Sequence, residues 1–321
     1  MTKGIKHIRI ISPSGTINPE YIEGATQRLQ SWGYRVSEGR YARGEYGRFS
    51  GTDDERLYDL YEALAMPDVD YILCSRGGYG LQRILDKINL STFDFRPSTI
   101  IGFSDITALH QLIAISTIKY QLSTLHGLMC KHIATLPEDS EALQLFRWAL
   151  DGKPLRYELP AHPLNSRGKA DGTLIGGNLS VLYGLQGTPY SLNAVIDAHP
   201  EGVILFIEDI GERHYHIDRM MKNLRMSGVL ERINGLVVGQ FTDCDPDPLM
   251  KSVLCQQSGL YADSEAVYCT IREAVADYDY PILFDFPAGH VDDNRPLRLN
   301  APARLEVLDG LGRLGNLVSL D

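Results

Sequence analysis

Clusters of Lys and Arg are missing from this 321-residue sequence: its 31 basic side chains are dispersed among 41 acidic ones, for a formal charge of −10. That balance disfavours a phosphate backbone or an anionic lipid surface, so neither nucleic acid nor a membrane is an expected partner. A small molecule or a peptide is the expected ligand. No stretch reaches the roughly 18 apolar residues that a membrane-spanning helix needs. Near the N-terminus the apolar stretch from Ile8 is broken by Arg9 and ends at Ser12-Pro13-Ser14-Gly15, so it reads as a first strand and turn and not as a secretory leader. C-x-x-C pairs are absent too: Cys74, Cys130, Cys244, Cys255 and Cys269 are dispersed and odd in number, which argues against a disulfide framework and a thiolate zinc site. A cytoplasmic location is expected. Internal repeats and low-complexity tracts are also lacking.

What is present is ordinary globular composition, 44% apolar and 22% charged, in a chain long enough for two cores. The first 150 or so residues alternate short apolar runs with amphipathic helical patterns, the signature of β-α-β units around a mainly parallel sheet. Runs at 8–11, 71–74 and 99–101 read as buried strands, each followed by Gly, Ser or Pro. One helix opens at Asn18-Pro19 and stops near Gly33. Another begins at Thr52, which has capping-box spacing to Glu55, and carries Leu57, Leu60, Tyr61 and Leu64 on one face before Pro67. Pro, His, Asn, Ser and Gly dominate 152–172, read as an inter-domain linker between domains at 1–151 and 173–321. The second domain carries strands at 203–207, 236–238 and 282–284, a helix over 217–226 and a β-rich end.

Several positions carry chemistry-bearing groups at strand ends, where open α/β sheets bind ligands. Ser104, in Gly102-Phe103-Ser104-Asp105, lies between a strand and a helix running from Thr107. A serine on such a turn projects its hydroxyl beside amide donors, yet Ser and Asp there serve equally as a helix N-cap, which the residues alone favour. Ser75-Arg76-Gly77-Gly78-Tyr79-Gly80 has the glycines for amides that face an anion, without a nucleotide-loop fingerprint. Glu208 and Asp209 close an apolar run, and His290 follows another in Phe286-Pro287-Ala288-Gly289-His290. A carboxylate that holds a histidine makes a general base, but eight other histidines compete with His290 and a surface acid is common at a strand end. His214-x-His216, among Glu208, Asp209, Glu212 and Asp218, raises a metallohydrolase alternative that lacks H-E-x-x-H.

Taken in order, Ser12-Pro13-Ser14-Gly15, the glycine loop at 75–80, Gly102-Phe103-Ser104-Asp105-Ile106-Thr107, His126-Gly127, Gly176-Gly177-Asn178-Leu179, the segment 206–212 leading to Ile217-Asp218-Arg219, and Gly289-His290 resemble the LD-carboxypeptidase family of microcin-immunity-type serine peptidases. The resemblance spans nearly the whole chain. It implies a Rossmann-like parallel-sheet N-terminal domain and a smaller, β-rich α/β C-terminal domain, with the active site at their interface. It implies Ser104 as nucleophile, His290 as general base and Glu208 as its orienting carboxylate, with no metal and no cofactor. The implied reaction releases terminal D-alanine from a muropeptide. Backbone amides of Gly77 or Gly78 and of Asp105 are the candidate oxyanion hole, and Arg76 and Asn178 the candidate substrate contacts. A homodimer is implied as well. The alternatives are an antibiotic self-immunity peptidase and a two-domain peptide-binding protein that does not cut.

Overall fold

The computed structural model describes residues 4–90, 97–120, 122–244, 247 and 263–316, which leaves Cys255 outside the described residues. The chain divides into two compact units, residues 1–151 with 295–300, and residues 152–294 with 301–321. The second is comparable in length to the first and not the smaller one expected.

In the first unit, strands β1 (His7–Ile11), β2 (Arg35–Glu38), β3 (Tyr71–Cys74), β4 (Thr99–Ile101) and β5 (Ser123–His126) are parallel, in the order β2-β1-β3-β4-β5. A strand from far along the chain, Leu297–Leu299, completes the sheet antiparallel to β5. Apolar runs in the sequence become central strands because both faces are covered: Ile10, Ile72 and Ile100 are fully buried. Burial of each such side chain contributes about 1.5–3 kcal/mol. The helix Pro19–Ser31 is capped by Asn18, whose side chain accepts from the Glu20 amide. The helix Asp53–Ala65 carries the full capping box, Thr52 N–H to Glu55 Oε2 at 2.8 Å and Glu55 N–H to Thr52 Oγ1 at 3.3 Å. After β4 a single 3₁₀ turn, Ser104–Ile106, leads into the helix Thr107–Tyr120.

The second unit is built on a seven-stranded sheet. Strands β6 (Arg156–Pro160), β7 (Gly168–Asn178), β8 (Val203–Ile210), β9 (Gly235–Thr242) and β10 (Ile282–Leu283) precede β11 (Leu297–Leu299), which belongs to the first sheet, and β12 (Ala301–Leu308) and β13 (Leu311–Asn316) follow it. The order is β10-β9-β8-β7-β12-β13-β6, parallel from β10 to β7 and antiparallel from β7 to β6. The stretch 152–172 is therefore not a linker: it holds β6 and the start of β7. In β6, Tyr157 and Leu159 are buried while their neighbours face solvent, a period-two pattern that Pro and Gly around it obscured. Cys74, Cys130 and Cys244 are free and buried, whereas Cys269 is disulfide-bonded, so dispersed spacing did not preclude a disulfide. Among the described residues no helix is long and apolar enough to cross a membrane.

Candidate active site

In the first unit the chemistry gathers where β4 ends. Ser104 has φ 64°, in the left-handed region. Among the described residues the other non-glycine positions there are Asp243, Asp285 and Asn300, types whose side chains tolerate it, so Ser104 is the one held there against its preference. Such strain costs about 1–3 kcal/mol and persists where the surroundings enforce it. The serine is half-buried and opens the 3₁₀ turn that feeds the helix Thr107–Tyr120. It is a strained turn residue: its positive φ is not that of an ordinary helix N-cap, and the cap position of the 3₁₀ turn belongs to Phe103.

The glycine loop packs directly against it. A Cβ on Gly77 would stand 2.9 Å from Ser104 Cβ and 3.2 Å from Ser104 Oγ, so only glycine lets the backbone approach this closely. The Gly77 carbonyl accepts from the Gly15 amide at 3.0 Å, which ties the loop to the Ser12-Pro13-Ser14-Gly15 turn. Among the described residues no acceptor is engaged by the amide N–H of Gly77 or of Gly78. Asp105 turns its carboxylate inward, accepting from Ser14 Oγ and from the Leu81 amide at 2.8 Å. Burial pushes its carboxyl up, opposed by those donors, by the Gly80 amide and by the Arg56 charge. Arg76 is exposed, and its Nη1 donates to the Thr16 carbonyl at 2.7 Å.

In the second unit Glu208 stands near the end of β8 with no exposure to solvent. The β8–β9 register slips there: Ile207 pairs with Val238 but Asp209 pairs with Phe241, so β9 bulges opposite Glu208. On the bulge docks the turn that carries His290. Gln240 N–H donates to the Ala288 carbonyl at 2.9 Å and Phe286 N–H to the Val238 carbonyl at 3.0 Å. Gly289, at φ 135°, turns the chain where a side chain would strain it, and its amide donates to Asn294 Oδ1 at 2.9 Å. His290 Nδ1 then lies 2.8 Å from Glu208 Oε2. With Nδ1–H donating to that carboxylate, the imidazole lone pair is on Nε2.

That pair singles out His290 among the histidines. His7, His199 and His216 also approach carboxylates, but those of Asp68, Glu201 and Glu212 reach solvent, whereas Glu208 does not. Burial works against the imidazolium and is the largest influence on it. The Glu208 hydrogen bond and the charges of Glu208 and Asp209 together outweigh burial, so the His290 pKa is raised. Asp209 itself is pushed up to about 7, by burial first and then by the Glu208 charge.

Asn178 is buried and consumed internally. It caps the helix Leu179–Gly184 by accepting from the Val181 amide at 3.1 Å, and its Nδ2 donates to Asp209 Oδ1 at 2.8 Å. Beside the substrate contact expected of it, Asn178 thus has a structural role as a brace for Asp209. Sequence reasoning noticed Asp209 only as a neighbour of Glu208, and it passed over the inward carboxylate of Asp105. His214 and His216 point to different partners, Thr270 Oγ1 at 2.6 Å and Glu212 Oε2 at 2.9 Å, and do not converge on one point.

Comparison with known proteins fits both halves. Residues 8–127 match the model of the LD-carboxypeptidase N-terminal domain and residues 171–305 that of the LD-carboxypeptidase C-terminal domain. A probable murein peptide carboxypeptidase of Bacillus subtilis is 31% identical over 312 residues, covering 94% of this chain and 89% of its own. The crystal structure of muramoyltetrapeptide carboxypeptidase from Oxalobacter formigenes superposes with a TM-score of 0.79 at 27% identity, covering 97% of this chain and 98% of that one. An MccF-like protein from Bacillus anthracis shares the fold, with a TM-score of 0.78 at 23% identity and 98% of each chain covered. A serine held in a left-handed turn, a buried glutamate bonded to a histidine, and these matches across both units lead to one conclusion, that the chain belongs to the LD-carboxypeptidase family.

Proposed function

We propose that this protein is a serine LD-carboxypeptidase that hydrolyses the amide bond between an L-centre and the terminal D-alanine of a muropeptide tetrapeptide, with Ser104 as nucleophile, His290 as general base and Glu208 as the carboxylate that orients it. The observation that carries this reading is the 2.8 Å bond from His290 Nδ1 to a glutamate sealed from solvent, which commits Nε2 to proton transfer. The names of the relatives support the substrate class.

In the proposed cycle Ser104 Oγ attacks the carbonyl carbon as His290 Nε2 takes its proton. The amides of Gly77, Gly78 and Asp105 are the proposed donors to the resulting oxyanion. Collapse expels D-alanine, whose nitrogen receives the proton from His290, and water then attacks the acyl-enzyme with His290 again as base. Arg76 is the proposed partner of the substrate's terminal carboxylate: it is exposed, and a guanidinium binds a carboxylate with two parallel hydrogen bonds. Cytoplasmic residence as a homodimer belongs to the same reading.

The test is mass spectrometry of a muramyl tetrapeptide incubated with the protein, with and without a chelator, alongside labelling by a serine-directed phosphonate. Loss of one D-alanine, indifferent to chelation, with the adduct on Ser104, is the expected result. Binding without cleavage would return the protein to the class of two-domain binders.

The acid limb of the pH profile follows from the site. His290 must be neutral to accept a proton, and its pKa is raised above the 6.5 of a free histidine. Activity is therefore lost as pH falls through a midpoint above that value. Asp209, which itself takes up a proton near a pH of about 7, favours the imidazolium only in its charged form, so Asp209→Asn moves the limb of kcat/KM modestly to lower pH. A limb that stays in place would show that Asp209 does not act on His290.

A further inference from the structure

The glycine loop poses a physical problem. Gly78 and Gly80 adopt φ of 104° and 143°, and a backbone this permissive does not hold amides in place by itself. Oxyanion donors, however, need placement to within about 0.5 Å. Two buried charged side chains meet that need, neither of them used in the proton transfers above.

We propose that Asp105 and Arg56 are positioning residues that clasp the 12–16 turn to the 75–81 loop and so hold the Gly77 and Gly78 amides beside Ser104, an inference that rests on the serine-peptidase reading. The acceptor half is the Asp105 carboxylate, fixed one residue after the nucleophile. It receives Ser14 Oγ–H from the turn and the Leu81 amide at 2.8 Å from the loop. The donor half is Arg56 on the helix Asp53–Ala65, whose Nη1 donates at 2.8 Å to both the Pro13 carbonyl of the turn and the Gly80 carbonyl of the loop. Its Nη2 is anchored by Asp53 Oδ1 at 2.6 Å. The turn and the loop are also tied by Gly15 N–H to the Gly77 carbonyl at 3.0 Å, and by Ser12 Oγ to Ser75 Oγ at 2.6 Å.

Every one of these bonds consumes a loop group other than the Gly77 and Gly78 amides. Arg56 and Asp105 are 1% and 3% exposed, so this arrangement keeps two charges out of water. Such burial is retained where the partners are many and well placed.

The experiment compares the wild type with Asp105→Asn and Ser14→Ala. Asn offers an NH₂ where the carboxylate accepts, and Ser14→Ala removes one donor with little loss of volume. Three quantities are read: kcat and KM on the tetrapeptide, the rate of phosphonate labelling at Ser104, and hydrogen exchange at the Leu81 amide. Expected for Asp105→Asn is a fall of about 10²-fold in kcat and in labelling, with KM within about twofold. Leu81 exchange should rise about tenfold, reflecting local opening. Ser14→Ala should move all three in the same direction by less, and it decides the matter if Asp105→Asn does not unfold cooperatively.

Faster Leu81 exchange with kcat and labelling unchanged would overturn the proposal, leaving only a fold contact, and so would no change at all. A wild type inactive on tetrapeptide but labelled at Ser104, with labelling slowed in the variants, would sink the murein reading and keep the clasp. A wild type neither active nor labelled would overturn both.

Discussion

Ser104→Ala and His290→Ala should each lower kcat on the tetrapeptide by about 10⁶-fold, and the double variant should lose no more than either single one. The reason is that nucleophile and base act as a unit: a hydroxyl without its base is not nucleophilic, and a base without its hydroxyl has nothing to deprotonate. Glu208→Gln should cost about 10⁴-fold, because the amide donates where the carboxylate accepts and so favours the wrong imidazole tautomer. All three variants should bind substrate with little change, since none of these groups is the proposed carboxylate anchor. The check is single-turnover cleavage by each single variant and by the double one. Losses that multiply in the double variant would mean that the two residues do not share a step, and the triad would fall.

Gly77→Ala carries the second large effect. Its backbone is not in the left-handed region, so alanine meets no conformational penalty and the whole consequence is steric. The added methyl would stand 2.9 Å from Ser104 Cβ and 3.2 Å from both Ser104 Oγ and the Phe103 carbonyl. Either the serine or the loop must shift, and a shift in either separates the hydroxyl from the oxyanion donors. A fall in kcat of about 10²–10³-fold is expected, the size of losing one such donor. KM should hardly move, and the crowding should cost about 1–3 kcal/mol in thermal unfolding. Wild-type kcat in a folded Gly77→Ala protein would remove this loop from the reacting centre.

Much of the first unit is legible in the sequence because its strands are continuous apolar runs and its helices announce themselves. Tyr71–Cys74 and Thr99–Ile101 are strands over the residues that hydrophobicity alone picks out, and the Thr52–Glu55 box starts its helix as the spacing requires. The edge strand Leu297–Leu299 is too short for any periodicity to register, and β6 hides its alternation between a proline on either side. Ser104 could be read as a cap because a serine before a helix serves either role; only its φ distinguishes them. His290 could not be chosen from nine histidines by composition, since what separates it is the burial of the glutamate it touches. Asn178 has a role that spacing does not announce, since its bond to Asp209 reaches a residue 31 positions further along the chain. Arg56 reads as an ordinary helix cation, and nothing in its neighbours reveals that it points inward.

The return of Leu297–Leu299 to the first sheet has a consequence for the order of synthesis. When β5 leaves the ribosome, its outer edge has no partner, because the strand that covers it lies beyond almost all of the second unit. At about 5–20 residues per second, that edge waits roughly 10–30 s for Leu297–Leu299 to be made. Arg298, which donates to the Ala149 carbonyl at 2.7 Å, and Asn300, which donates to Thr124 Oγ1 at 2.9 Å, arrive in the same late segment. A nascent chain stalled before residue 297 therefore displays an open strand of the kind that recruits unwanted pairing, and emergence of Leu297–Leu299 is what closes it.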